Sequence, residues 1–211
     1  MSPAFTPKIG LKMQYQETSE WCWIAVATSI NHFYYPASSV TQCELATAVL
    51  QKFCGLVGSA CPNPLVLNSN PELARILMTP YSQSAYCVLD DPSLGIPSDF
   101  LYHTGFVGDA LSIMGNYNGN RDAKLLYMPL SDITREIKTG RPIAVDIMWN
   151  SGPQHTVAIG GVSGDTLLIC DPATGESTIK YDQFPYNYRS GATPKAYALT
   201  QKKGLKLLGQ Q

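Results

Sequence analysis

The sequence is short of several things, and each shortage narrows its role. No run of about 18 apolar residues occurs, which argues against a membrane-spanning helix. There is no basic stripe and no interleaving of aromatic with basic residues, and the net charge is -1, so no surface for nucleic acid is visible. No Cys-x-x-Cys pair occurs, which argues against a zinc site. No repeat and no low-complexity segment is present. Met1 to Gly10 lacks the apolar core of a signal peptide. An exported protein would therefore leave by a route without one, or is written here after its removal. Charged residues are sparse at 15%, whereas Gly (17), Pro (15) and Tyr (12) are plentiful. That balance fits a secreted, loop-rich protein better than a housekeeping cytosolic enzyme. The 211 residues suffice to bury one sizeable core.

Of the six cysteines, Cys43, Cys54, Cys61 and Cys87 crowd into one stretch that is also rich in Gly and Pro. Two disulfides are expected there if the protein works in an oxidising compartment, with three connectivities open. Four buried thiols are the alternative. Cys22 and Cys170 stand apart.

The chain changes character near residue 100. Trp21 to Tyr35 is apolar, has small residues and no Gly or Pro, and reads as a buried helix. Thr18 or Ser19 is positioned to cap it and Pro36 to end it. Ser39 with Gln42 is a capping-box pattern opening a second helix that Gly55 closes. Asn70-Pro71 opens a short third helix. Further helices are expected at Phe106–Met114 and Ser131–Lys138. Strands come late, at Pro142–Met148, Thr156–Val162 and Thr166–Cys170, with weaker candidates at Ser177–Tyr181 and Lys195–Thr200. Ser163-Gly164-Asp165 turns the second strand into the third as a hairpin. The expected class is α+β, a helical half (about 1–100) packed on an antiparallel sheet (about 101–211). No linker divides residues 1–211, so one domain is expected.

The segment Gln16-Glu17-Thr18-Ser19-Glu20-Trp21-Cys22-Trp23 carries the strongest chemical signal. Cys22 opens the long helix, where unsatisfied N–H groups and the helix dipole favour a thiolate and can also hold an oxyanion. A buried structural cysteine between two tryptophans is the plain alternative. A nucleophile needs a base. His32 lies ten residues along the same helix, about 15 Å away at 1.5 Å per residue. His103 sits among turn-forming residues. His155 opens the hairpin, and Asp171 ends the partner strand. A hairpin centred on Gly164 places Val157 opposite Asp171, so that His155 and Asp171 share a face diagonally. A register change of one residue would separate them. A carboxylate there would orient the imidazole and stabilise its cation. Turn initiation is the plain reading of Asp171-Pro172. Trp21, Trp23 and Trp149 lie near these motifs, for core packing or for shielding the His155–Asp171 pair.

In order and spacing, Gln16, Cys22-Trp23, His155 and Asp171 resemble the papain-like cysteine peptidases. The finer resemblance is to compact bacterial members related to the C39-like and AvrRpt2-like (C70) peptidases. It is carried by Cys22-Trp23-Ile24-Ala25, by His155-Thr156-Val157-Ala158-Ile159-Gly160 and by Asp171-Pro172, with the aromatics Tyr181, Phe184 and Tyr188 following. It runs from about Met13 to Leu199. Asp171 stands where papain itself has Asn, and the stretch from Gln42 to Cys87 is not part of papain's core pattern.

The resemblance implies a papain-like fold and a Cys22–His155–Asp171 triad. It also implies an oxyanion hole from the Gln16 side chain and the Cys22 N–H, with no cofactor and no metal. The implied partners are a protein or peptide substrate and, for control, an inhibitor, immunity protein or host activating protein. Export as a bacterial effector or toxin is the implied setting. An amidase, deamidase or transglutaminase would use the same triad, and a non-catalytic papain-fold binding module would not use it at all.

Overall fold

The computed structural model describes residues 8–17, 21–46, 48–49, 107–118 and 126–202. Helix α1 spans Cys22–Tyr34 and is buried on nearly every side, as an uninterrupted apolar run without Gly or Pro must be. It stops where Pro36 disfavours a helical conformation for Tyr35. Trp21 is its N-cap and makes no side-chain capping bond. The expected caps Thr18 and Ser19 lie outside the described residues.

Residues 42–46 and 48–49 are helical, but the expected Ser39–Gln42 capping box is not what starts them. The box is Thr41 with Glu44. Thr41 N–H donates to Glu44 Oε2 at 2.9 Å, and Glu44 N–H donates to Thr41 Oγ1 at 3.2 Å. Gln42 is unavailable as a cap because its side chain is buried and spent elsewhere. The expected helix from Asn70 and the turns of 80–100 lie outside the described residues. Helix α2 is Val107–Ile113 and α3 is Leu130–Lys138. Among the described residues no helix is long and apolar enough to cross a membrane.

Five strands form one antiparallel sheet in the order β4-β3-β2-β1-β5. They are β1 Ile143–Trp149, β2 Gln154–Ser163, β3 Thr166–Asp171, β4 Gly175–Lys180 and β5 Ala192–Leu199. All five expected strands are present, each within a few residues of its expected bounds. The class is α+β. One sheet face presents Ala144, Ala158, Cys170 and Ala198 to α1 and α2. Their small side chains let the helix backbone come close. The other face presents Ile143, Val145, Val157, Ile159 and Ile169 to Ile133 and Ile137 of α3. With both faces covered, β1–β3 read as nearly continuous apolar runs rather than alternating ones.

The β2–β3 register holds the feature that matters most for the site. The turn has two residues, Gly164 and Asp165, and pairs Ser163 with Thr166. Continued unchanged, that register would set Ala158 opposite Asp171 and put His155 and Asp171 on opposite faces. The register shifts between Ile159 and Gly161, and Ala158 pairs with Cys170 instead. The next step brings Val157 opposite Asp171, so His155, two residues away, shares the face of Asp171. The expected pairing is therefore reached through a bulge at Gly160, not through the turn alone.

Gly160 is confined as well as extra. A Cβ there would stand 2.7 Å from Cys170 Sγ. The N-terminal segment caps the bulge, with Ile9 N–H donating to Gly160 O at 3.1 Å and Leu11 buried against it. Gly160→Ala is expected to cost about 1–3 kcal/mol by overpacking, read as a lowered urea midpoint. Cys170→Ala added to it should recover part of that loss, because the clash is with this sulfur. Additive losses would disprove the contact as the cause.

Candidate active site

Cys22 is the first residue of α1 and is buried to 7% exposure. The helix ladder begins with Ala25 N–H donating to Trp21 O at 2.8 Å. The N–H groups of Cys22, Trp23 and Ile24 therefore precede the ladder and sit at the positive end of the helix dipole.

His155 is the second residue of β2 and is 8% exposed. Its Nε2 lies 3.0 Å from Asp171 Oδ1, and Cys22 is its other side-chain hydrogen-bond partner. The structure thus brings Cys22, His155 and Asp171 together. Trp149, at the end of β1, stacks on the imidazole with ring centroids 5.4 Å apart and planes 21° apart. The turn that returns β1 to β2 makes this possible. Gly152 adopts φ +119, and Trp149 O accepts from its N–H at 2.9 Å. Of the two roles open to Trp149, the ring geometry supports the shielding one.

Asp171 ends β3 and is 1% exposed. Its Oδ1 accepts from His155 and from Ala173 N–H at 2.8 Å. Its Oδ2 accepts from Tyr188 O–H at 2.8 Å and has Arg189 Nε at 3.4 Å. Burial alone would raise this carboxyl, but the hydrogen bond and charge of His155, with help from Ala173 and Tyr188, hold it well below the usual carboxylate range. Burial opposes charge on His155 as well. The bonds to Asp171 and Cys22 outweigh it and push the imidazole up to about 9.

Gln16 joins the group through its backbone. Its N–H donates to Pro172 O at 3.0 Å, which fastens it beside the end of β3. The extended segment around it is held by a residue read from the sequence only as a cap. Gln42 Nε2 donates to Tyr15 O at 2.8 Å and to Gln14 Oε1 at 3.3 Å, and its Oε1 accepts from Glu17 N–H at 3.1 Å. Ser29 Oγ accepts from Gln14 N–H at 2.9 Å. His32 belongs to this support. Gln14 Nε2 contacts its Nδ1 and Val40 O contacts its Nε2, both at 2.9 Å. His103 lies outside the described residues.

Sequence reasoning missed Gln42, Tyr188 as a partner of Asp171, and the need for Gly160. Only the aromatic spacing after Asp171-Pro172 hinted at one of them.

Cys22 and Cys170 are free thiols. Burial pushes Cys170 up to about 12, so it behaves as packing rather than as a nucleophile. Cys43 is buried and its sulfur is partnered. Cys54, Cys61 and Cys87 lie outside the described residues. Among the described residues no cluster of three or more His, Cys, Asp or Glu side chains is arranged to hold a metal ion. An open groove lined by Ser177, Lys180, Gln183, Tyr188 and Arg189 among others includes none of Cys22, His155 and Asp171 in its lining.

The paired shifts tie stability to pH. His155 titrates at about 9 in the fold against an ordinary 6.5, so its contribution is complete below about 6.5 and is lost as the pH rises through 9. Asp171 titrates below its ordinary 3.8, so its contribution is present above that value and is lost as the pH falls towards the lower folded value. The stability advantage of the native protein over His155→Ala should be largest at about pH 4–6.5 and shrink towards pH 9. Urea unfolding across that range measures it, and an advantage that does not change with pH would contradict the ion pair.

Residues 8–204 match the family model described as the Peptidase_C39 like family. No curated protein matches the chain, and no solved structure matches it.

Proposed function

The chain belongs to the Peptidase_C39 like family, and from that premise we propose that it is a papain-like cysteine peptidase working through Cys22, His155 and Asp171. The observation that carries this reading is His155 held between Cys22 and a buried Asp171, with Trp149 stacked on its ring. Asp171 is bonded to Nε2, which leaves Nδ1 as the nitrogen for Cys22.

In the proposed reaction His155 takes the thiol proton of Cys22, and the sulfur attacks the carbonyl carbon of a peptide bond. The carbonyl π pair moves onto oxygen, where the Gln16 side chain and the Cys22 N–H receive the negative charge. That pair then returns to re-form the carbonyl, the C–N bond breaks, and His155⁺ gives its proton to the leaving amine. A water molecule, deprotonated by neutral His155, attacks the thioester. The acid is released, and the proton returns to the Cys22 sulfur. Asp171 keeps the imidazole in one tautomer and stays ionised throughout. No step calls for a cofactor.

We also propose that the chain acts outside the cell that makes it, as an effector or toxin. The sparse charge, the Gly and Pro content and the cysteine-rich stretch support this, with disulfides among Cys43, Cys54, Cys61 and Cys87. An immunity protein, inhibitor or host activator would then govern it. Residues 1–211 are taken as one catalytic unit.

Cys22→Ala and His155→Ala should each lower peptide hydrolysis by about a thousandfold or more. Gln16→Ala should lower kcat by about a hundredfold with a smaller change in KM. Peptide libraries read by mass spectrometry, run beside an ammonia assay, separate the chemistries. New peptide termini support a peptidase. Ammonia release or amide exchange without cleavage would move the same triad to an amidase, deamidase or transglutaminase. Cys22 that alkylates no faster than a free thiol would sink the catalytic reading.

A further inference from the structure

Tyr188 takes no part in the steps above, yet it contacts two members of the site. Its hydroxyl donates to Asp171 Oδ2 at 2.8 Å, while His155 and Ala173 occupy Oδ1. Its ring is buried and stacks on Trp149 at 5.9 Å and 15°, and Trp149 in turn stacks on His155 at 5.4 Å and 21°. Phe184 meets the same ring edge-on at 5.8 Å. Arg189 places its guanidinium 5.3 Å from the Tyr188 ring centroid and its Nε 3.4 Å from Asp171 Oδ2. Arg189 does this from a left-handed conformation, φ +50, which non-glycine residues adopt only where the surroundings enforce it.

We infer that Tyr188 is a positioning residue: it fixes the plane of the Asp171 carboxylate and, through it, the ring of His155. The inference rests on the proposed Cys22–His155–Asp171 reaction. A carboxylate rotates about the bond to its Cβ. Donors on Oδ1 alone leave that rotation partly free, whereas a donor on each oxygen sets it. Oδ2 has two described neighbours. Arg189 reaches it at a long distance from a side chain that is 39% exposed, and Tyr188 reaches it at hydrogen-bond length from inside the core. Tyr188 is therefore the firmer of the two holds. The imidazole is then fixed three ways: by Asp171 along Nε2, by Trp149 across its face, and by Cys22. Two of those three lean on Tyr188. Asp146 of β1, whose carboxyl also feels the charge of His155, bonds to Thr156 and not to Tyr188.

The test is a double-mutant cycle on Cys22 alkylation by iodoacetamide near neutral pH, with the modified cysteine located by mass spectrometry. Tyr188→Phe keeps the ring and its stacking and removes only the hydroxyl. It should slow alkylation by about tenfold, with a thermal midpoint within a few degrees of native. Asp171→Ala should slow it at least as much. Tyr188→Phe combined with Asp171→Ala should be no slower than Asp171→Ala alone, because the hydroxyl then has no carboxylate to hold. If Asp171→Ala does not fold, Asp171→Leu replaces it, since its branched side chain fills the place of the carboxylate and offers the Tyr188 hydroxyl no hydrogen-bond partner. Tyr188→Phe at the native rate, with the Asp171 variant slow, overturns the inference and leaves the triad standing. The same slowing by Tyr188→Phe in both backgrounds also overturns it, marking a general packing role. An Asp171→Ala variant that folds and reacts at the native rate overturns the triad reading and this inference together.

Discussion

The hydrogen bond between His155 and Asp171 joins residues 16 apart on neighbouring strands, and it exists only because β2 carries one residue more than its pairing needs. In a hairpin, side chains alternate faces, so a slip of one residue moves every group on one strand to the wrong side. The two-residue turn at Gly164-Asp165 sets one register and the bulge at Gly160 sets the other. The wrong side here is also the α1 side, where Ala144, Ala158, Cys170 and Ala198 pack beneath the helix. Without the bulge, either His155 or Asp171 would point into that contact. The same residue thus places the candidate chemistry and keeps the helix seated. Cys170 explains why the bulge residue is glycine, since no Cβ fits beside its sulfur.

Two carboxylates of this sheet show how the site holds a charge in the interior. Asp146 and Asp171 are each 1% exposed. Asp146 has neutral partners, the Thr156 hydroxyl at 2.5 Å and the Val107 N–H, and burial still pushes it up to about 7 despite the distant pull of His155. Asp171 has neutral donors too, from Ala173 and Tyr188, but it also has His155 in direct contact, and its shift runs the other way. Two neutral hydrogen bonds do not overcome desolvation here, whereas a cationic donor does. The dependence is mutual. His155 stays charged to about 9 only because Asp171 is ionised beside it and Cys22 lies on its other side. Charge on the imidazole is therefore bound up with the packing that fixes the carboxylate.

Much of this was legible in the sequence because it rests on local patterns. An apolar run with Pro36 after it marks α1, turn residues mark the hairpin, and Cys22, His155 and Asp171 fall at element ends, where groups can meet. What was not legible depends on contacts between distant segments. Ser39 with Gln42 satisfies the capping pattern as well as Thr41 with Glu44 does. The choice falls to the second because the backbone of residues 14–17 claims the Gln42 side chain. A centre at Gly164 yields the correct pairing for Asp171 by a route the chain does not take, since the turn is centred between Gly164 and Asp165 and the bulge then moves the pairing onto Gly164. Tyr188 is visible as one of three spaced aromatics, but its hydrogen bond to Asp171 depends on how the segment after β4 folds back over the end of β3.

The two supports of the site come from opposite parts of the chain and meet at one turn. Gln42 holds the segment 14–17 from the helical half, and Tyr188 holds Asp171 from the segment before β5. The segment and the carboxylate join where Gln16 N–H bonds to Pro172 O, one residue beyond Asp171. Movement of either support is therefore transmitted to the same few atoms. In the proposed reaction Asp171 answers the charge already present on the imidazole, while the Gln16 side chain answers charge that develops on the substrate oxygen. One turn anchors the backbones of both responders. That is a form of preorganisation, because the backbone has been ordered by folding before substrate arrives. It also gives Pro172 a role beyond ending β3: its carbonyl faces Gln16 while its ring stops the strand from continuing past Asp171.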